Sequence, residues 1–110
     1  MEDRVMQADL TLTTARDENR AVVAIDGELD AHSATSLEAE VSKLLAAGVH
    51  DLEFDLSATS FLDSSGLRAI LSVQRELADR GGTFALRAPS ASVQRLLDIT
   101  GLAHQFDCEA

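Results

Sequence analysis

Apolar and polar positions alternate at the start of the chain. Over residues 8–14, Leu10 and Leu12 fall on one side and Thr11 and Thr13 on the other, the period of two expected of a half-buried strand. Asp17-Glu18-Asn19 reads as a turn. Residues 20–25 (Arg-Ala-Val-Val-Ala-Ile) read as a second strand, antiparallel to the first because the connection is short. Gly27-Glu28-Leu29-Asp30 ends that strand, and the period then changes. Leu37, Val41, Leu44 and Leu45 recur at helical spacing, with Asp30 or Ser33 available as the N-cap and Gly48 as the stop.

Residues 52–56 alternate again as a third strand. A polar stretch at 57–60 follows, and Phe61-Leu62 leads into Asp63-Ser64-Ser65-Gly66. Leu67, Ile70, Leu71 and Leu77 mark a second helix, with Gln74 interrupting the stripe and Arg80-Gly81-Gly82 stopping it. Residues 83–87 form a fourth strand. Pro89-Ser90 opens a third helix with Val93, Leu96 and Leu97 inward and Gly101 as its stop, and residues 102–108 offer a short edge strand. The order β-β-α-β-α-β-α joins an antiparallel hairpin to strands that helices separate, and such strands pair in parallel. The expectation is an α/β domain, a mixed sheet of four or five strands with flanking helices. Residues 1–7, polar and charged, read as a flexible N-terminal lead-in, and residues 8–110 as a single domain with no internal repeat or linker.

Composition narrows the function. A chain of 110 residues has room for one core, and its 45% hydrophobic content argues against disorder. Nine Lys and Arg against nineteen Asp and Glu give a net charge of −10. Phosphate backbones and anionic membranes repel such a surface, so no direct nucleic-acid or membrane partner is expected, while a basic protein partner approaches more easily. There is no Trp or Tyr, and four scattered Phe make no base-stacking surface. No apolar run is long enough to span a bilayer. Cys108 is the only cysteine and no signal peptide is evident, which points to a cytoplasmic location; a tail thiol with no basic neighbour is expected to be inert.

Enzyme chemistry is poorly served. Leu62-Asp63-Ser64-Ser65-Gly66 superficially resembles a hydrolase elbow, with His32 or His104 as a base. The elbow, however, needs Gly two residues before the serine, where Leu62 stands, and so small a chain has little room for a walled substrate pocket. His32, His50 and His104 lack metal-ligand spacing, so no metal is expected. Gly81-Gly82 lacks a phosphate-binding pattern, and no cofactor is expected. Asp55 late in a strand suggests a phosphoaspartate receiver, but Lys43, the only lysine, belongs to the first helix. What remains is a serine pair in the first turn of a helix that Asp63 caps. The free N–H groups and helix dipole there tolerate a phosphate on Ser64, which adds roughly −1.5 to −2 of charge to a surface. The alternative is that Asp63-Ser64-Ser65-Gly66 merely starts a helix.

Gly27-Glu28-Leu29-Asp30, Phe61-Leu62-Asp63-Ser64-Ser65-Gly66-Leu67, Gly81-Gly82 and the run from Val93 through Thr100-Gly101-Leu102 together resemble, in order, the bacterial anti-sigma factor antagonists, which consist of a STAS domain. The resemblance spans residues 10–106. It implies a non-enzymatic protein whose unphosphorylated form binds an anti-sigma factor, usually a serine kinase of the histidine-kinase-like ATPase fold, and so releases a sigma factor. It also implies that the kinase switches binding off by phosphorylating the first serine after the aspartate, here Ser64, and that a serine phosphatase restores it. The loop carrying Asp30 and His32 would join Asp63, Ser65, Gly66 and Arg68 in the partner interface. Asp30 is expected near Ser64 because both loops leave the sheet at one end. Arg68, four residues on along the same helical face, is placed to pair with a phosphate on Ser64, where the family often has a small residue. The competing readings are a STAS subunit of another assembly, such as a lipid-transport or stress-signalling complex, and a small serine hydrolase using Ser64.

Overall fold

The computed structural model describes residues 2–6, 9–102 and 107–109. Along the chain it runs β1 (Glu2–Met6), β2 (Leu10–Asp17), β3 (Arg20–Leu29), α1 (Ala31–Ala46), β4 (Asp51–Asp55), β5 (Thr59–Leu62), α2 (Ser64–Asp79), β6 (Thr83–Arg87), α3 (Ala91–Thr100) and β7 (Asp107–Glu109). Strand order across the sheet is β1-β2-β3-β4-β6-β7, with β5 lying beside the end of β3. β1, β2 and β3 pair antiparallel, and the remaining pairs are parallel. This is the expected mixed α/β architecture.

The parallel strands β3, β4, β6 and β7 follow one another in one direction, so right-handed crossovers carry the three helices over one face of the sheet. Burial agrees. Leu12, Val23, Ile25, Leu52, Phe54 and Leu86 are fully buried, whereas their strand neighbours Thr11, Thr13, Val22, Ala24, Glu53 and Ala85 are only half-covered. The helices add Leu37, Ile70, Leu77 and Leu97 to the same core. Phe54 meets Phe84 edge to face at 4.9 Å, a favoured aromatic geometry. Each such side chain contributes about 1.5–3 kcal/mol by leaving water.

One buried charge lies inside this layer. Glu40 of α1 is 4% exposed; it accepts a hydrogen bond from the Thr14 hydroxyl of β2 at 2.8 Å and pairs with Lys43 at 3.4 Å. A buried carboxylate is tolerable only with such partners. The alternation of β2 marks Thr14 as an inward position, but nothing in the helical stripe of α1 identifies Glu40 as its partner.

Three expectations change. The lead-in read over residues 1–7 contains β1, whose Val5 stands opposite Leu12 and packs on the core. An edge strand bonds through its backbone, so the polar side chains of this segment gave no warning. The polar stretch at 57–60 and Phe61-Leu62 contribute β5, and with β1 this raises the strands among the described residues to seven. The last edge strand is Asp107–Glu109. His104 lies outside the described residues, as does the side chain of Cys108. Among the described residues, no helix is long and apolar enough to cross a membrane.

Candidate functional site

β3 changes partners at Gly27, and that change builds the site. Its first half pairs with β4 as far as Ala24–Asp55, and its end pairs with β5, with a register shift between Gly27 and Glu28. The backbone at Gly27 has φ +112°, and a Cβ there would stand 2.2 Å from the Asp9 carbonyl oxygen. Only glycine accommodates both the conformation and the approach. Gly27 N–H donates to Ala58 O at 3.0 Å, Glu28 N–H to Asp9 O at 2.8 Å, and the Thr59 hydroxyl to Ile25 O at 2.7 Å.

Beyond the shift, Glu28 stands opposite Phe61 and Leu29 opposite Leu62. Asp63 N–H donates to Leu29 O at 3.3 Å. Asp30 and Asp63 each follow this last register pair, and each caps the helix that starts after it. The expected meeting of the two loops is therefore present, and the pairing of β5 with β3 is its cause.

At α1, Asp30 Oδ1 accepts the N–H groups of His32 at 3.0 Å and Ser33 at 2.9 Å, while Asp30 N–H donates to Ser33 Oγ at 2.9 Å. Asp30 and Ser33 thus form one reciprocal capping box. The Ser33 backbone N–H and then its hydroxyl hold the Asp30 carboxyl below its ordinary range; partial burial opposes them, and His32 adds only smaller lowering effects. The folded state consequently binds a proton at Asp30 less readily than the unfolded chain does. This contribution to stability is fully present above the usual aspartate pKa of about 3.9 and is lost as pH falls through the lower folded value. In urea unfolding between about pH 3 and 7, the stability gap between wild type and Asp30→Asn is expected to be constant above about pH 5 and to shrink below about pH 4. A gap that does not change with pH would contradict the capping role of the charge.

At α2, Asp63 Oδ1 accepts Gly66 N–H at 2.9 Å. Ser64 and Ser65 occupy the first turn, Ser64 exposed and Ser65 half-buried. Gly66 is buried against β3: a Cβ there would lie 2.3 Å from Leu29 O and 2.7 Å from a Leu62 methyl. His32 and Arg68 are exposed. Arg68 has no ion-pair partner among the described residues, and one helical turn separates it from Ser64. Among the sequence-selected residues, Asp30, Asp63, Ser64, Ser65 and Gly66 are brought together by the end of β3 and the start of α2, with His32 and Arg68 one turn or less into the two helices.

Sequence reasoning missed Phe61. It is 47% exposed on β5, while its neighbour Leu62 is buried. Adjacent apolar residues before a helix cap were the available signal, since one of two successive strand residues faces outward.

The Ser64 hydroxyl is accessible to solvent. No histidine hydrogen-bonds Ser64 among the described residues, and no group of three His, Cys, Asp or Glu is placed to hold a metal. A cavity of about 420 Å³, bordered by Arg16, Arg20, Asp51 and Glu53, lies at the opposite end of β3.

The STAS domain family matches residues 11–110. The anti-sigma-B factor antagonist of Bacillus subtilis is 32% identical over 102 residues, which cover 93% of each chain. The crystal structure of an anti-sigma factor antagonist from Mycobacterium paratuberculosis superposes with a TM-score of 0.80 at 28% identity, covering 96% of this chain and 90% of that one. The anti-sigma factor antagonist SpoIIAA in its unphosphorylated form gives a TM-score of 0.77 at 26% identity, over 90% of this chain and 88% of that one. Bacillus SpoIIAA in the phosphorylated form gives 0.72 at 25%, over 90% of this chain and 91% of that one.

Proposed function

We propose, because this chain belongs to the STAS-domain family of bacterial anti-sigma factor antagonists, that its unmodified form binds an anti-sigma factor and thereby frees a sigma factor. Phosphorylation of Ser64 ends that binding. The partner is a serine kinase of the histidine-kinase-like ATPase fold, and a serine phosphatase resets the switch. The chain itself acts by binding, without a reaction of its own, and works in the cytoplasm. Asp30, His32, Asp63, Ser65, Gly66 and Arg68 surround Ser64 in the interface.

The observation that carries this reading is the exposed Ser64 in the first turn of α2, beside the capped start of α1. A phosphate there meets free helix N–H groups, so the isolated fold tolerates it. In a closed interface the same phosphate is desolvated and faces the partner. The nearby carboxylates of Asp30 and Asp63 already make this end of the sheet negative. Turning a partner from 99% bound to 99% free requires about 10⁴-fold weaker binding, or about 5.5 kcal/mol. One desolvated or like-charge contact supplies a few kcal/mol, so several contacts must share the task. Titration of the purified chain, with and without phosphate on Ser64, into the ATPase-fold kinases of its source organism tests the reading. Failure of the unmodified chain to bind any of them would refute it.

Arg68 tempers the switch. An (i, i+4) guanidinium pairs with a phosphate on Ser64 and masks part of its charge. Phosphorylated Arg68→Ala is therefore expected to retain less partner than the phosphorylated wild type. Equal residual affinity of the two phosphoforms, by calorimetry, would show that Arg68 masks nothing.

A further inference from the structure

We infer that Phe61 is the apolar anchor of the interface and enters an apolar pocket on the anti-sigma factor whose border is basic. The inference rests on the functional reading above and names the chemistry of the surface that the partner must present.

Among the described residues, the exposed large apolar side chains are Met6, Phe61 and Ile99. Met6 lies on the edge strand and Ile99 near the end of α3; Phe61 alone adjoins the start of α2. The core takes Phe54 and Phe84 edge to face, and Phe106 lies outside the described residues. The core cannot take Phe61 as well, because Leu62 occupies the inward position of β5 and is 8% exposed. A phenyl ring left in water forgoes stabilisation that a partner's pocket can recover, and aromatic side chains at the centre of an interface carry a large share of binding energy.

The border of Phe61 is acidic. Glu28 stands opposite it in the β3–β5 register, on strands that run about 4.8 Å apart, and is itself exposed. Asp26 precedes Glu28 on the same strand end and is also exposed, and Asp30 and Asp63 follow on the two strands. Arg68 is the one arginine or lysine among the residues assigned to the interface. An acidic border on the partner would be repelled on approach; lysine and arginine side chains fit. The two features act on different steps. The charged border governs the association rate and its salt dependence, and the buried ring governs dissociation.

Binding kinetics on the purified anti-sigma factor of the source organism, with wild type, Phe61→Ala, Phe61→Leu and Ser64→Asp compared at low and high salt, test this. Phe61→Ala is expected to dissociate about 30-fold or more faster than wild type, with little change in association rate. Phe61→Leu, which keeps an apolar side chain, is expected to recover most of the loss. Wild type and Phe61→Ala are both expected to associate more slowly as salt rises. Equal urea midpoints for the variants exclude a folding effect; should Phe61→Ala lose stability, Phe61→Leu and Phe61→Gln, matched for stability, carry the comparison. A Phe61→Ala dissociation rate within about fivefold of wild type, while Ser64→Asp has lost binding, overturns the anchor and leaves the switch standing. Association that is flat or faster at high salt overturns the basic border. Absence of binding by wild type overturns the functional reading, and the anchor with it.

Discussion

Ser64→Asp is expected to bind the anti-sigma factor at least about 100-fold more weakly than Ser64→Ala, and this is the largest effect anticipated for any single substitution in the interface. Ser64 is exposed in the first turn of α2, so neither variant disturbs the core. Alanine removes the hydroxyl that would carry a phosphate and leaves a small neutral surface, so Ser64→Ala should bind persistently even in the presence of kinase and ATP. Aspartate places a carboxylate near the Asp30 and Asp63 caps, on a chain whose net charge is already −10. Its effect comes from position and not from the total: one more charge in eleven changes the overall field little, whereas a charge sealed against a partner loses its hydration. Aspartate carries one charge and two oxygens, against the nearly two charges and three oxygens of a phosphate. It should therefore fall short of the roughly 10⁴-fold change that a complete switch needs. Calorimetric affinities for the two variants check this, and equal values would remove Ser64 from the switch.

Gly66→Ala is expected to destabilise the fold by about 2 kcal/mol, although alanine is the better helix former by about 1 kcal/mol. The decision lies in the contact across to β3. A Cβ at Gly66 would stand 2.3 Å from Leu29 O, 2.7 Å from a Leu62 methyl and 3.0 Å from Leu29 Cγ. The nearest of these is backbone, and Leu29 O also accepts the Asp63 N–H, so it cannot simply turn aside. Either α2 lifts away from the sheet or β3 moves. Both carry strain of the size seen when a packed core is overfilled. A domain of about this size then melts roughly 8–16 °C lower. Because the displaced turn also holds Ser64 and the Asp63 cap, partner binding should weaken in the fraction that stays folded. A melting temperature equal to or above wild type would show that the close approach of α2 to β3 is not sustained.

The site was partly legible in the chain. Asp63, and for α1 the choice between Asp30 and Ser33, could be read because capping is local chemistry: a short polar side chain sits just before a helical stripe, and its N–H partners lie two or three residues away. The family resemblance singled out Ser64 for the same stretch. Phe61 was not read as exposed. Its orientation depends on β5, and β5 exists as a strand through its pairing with β3 over residues far apart in the chain. The adjacent residues Thr59, Ser60, Phe61 and Leu62 show no alternation, being buried, exposed, exposed and buried. β1 escaped for a related reason, since backbone pairing to β2 needs no apolar pattern.

The sequence by itself determined the class of fold, the positions of the three helices and four of the strands, the two caps and the acidic surface. All of these depend on periodicities or charges that are present within a few residues or in the composition. Only the tertiary structure decided that β3 leaves β4 for β5 at Gly27, that Gly66 brings α2 against Leu29, and that Phe61 is left in water. Those outcomes depend on which backbone groups find partners across the sheet. Such pairings join residues some thirty positions apart, so the local pattern of side chains does not specify them.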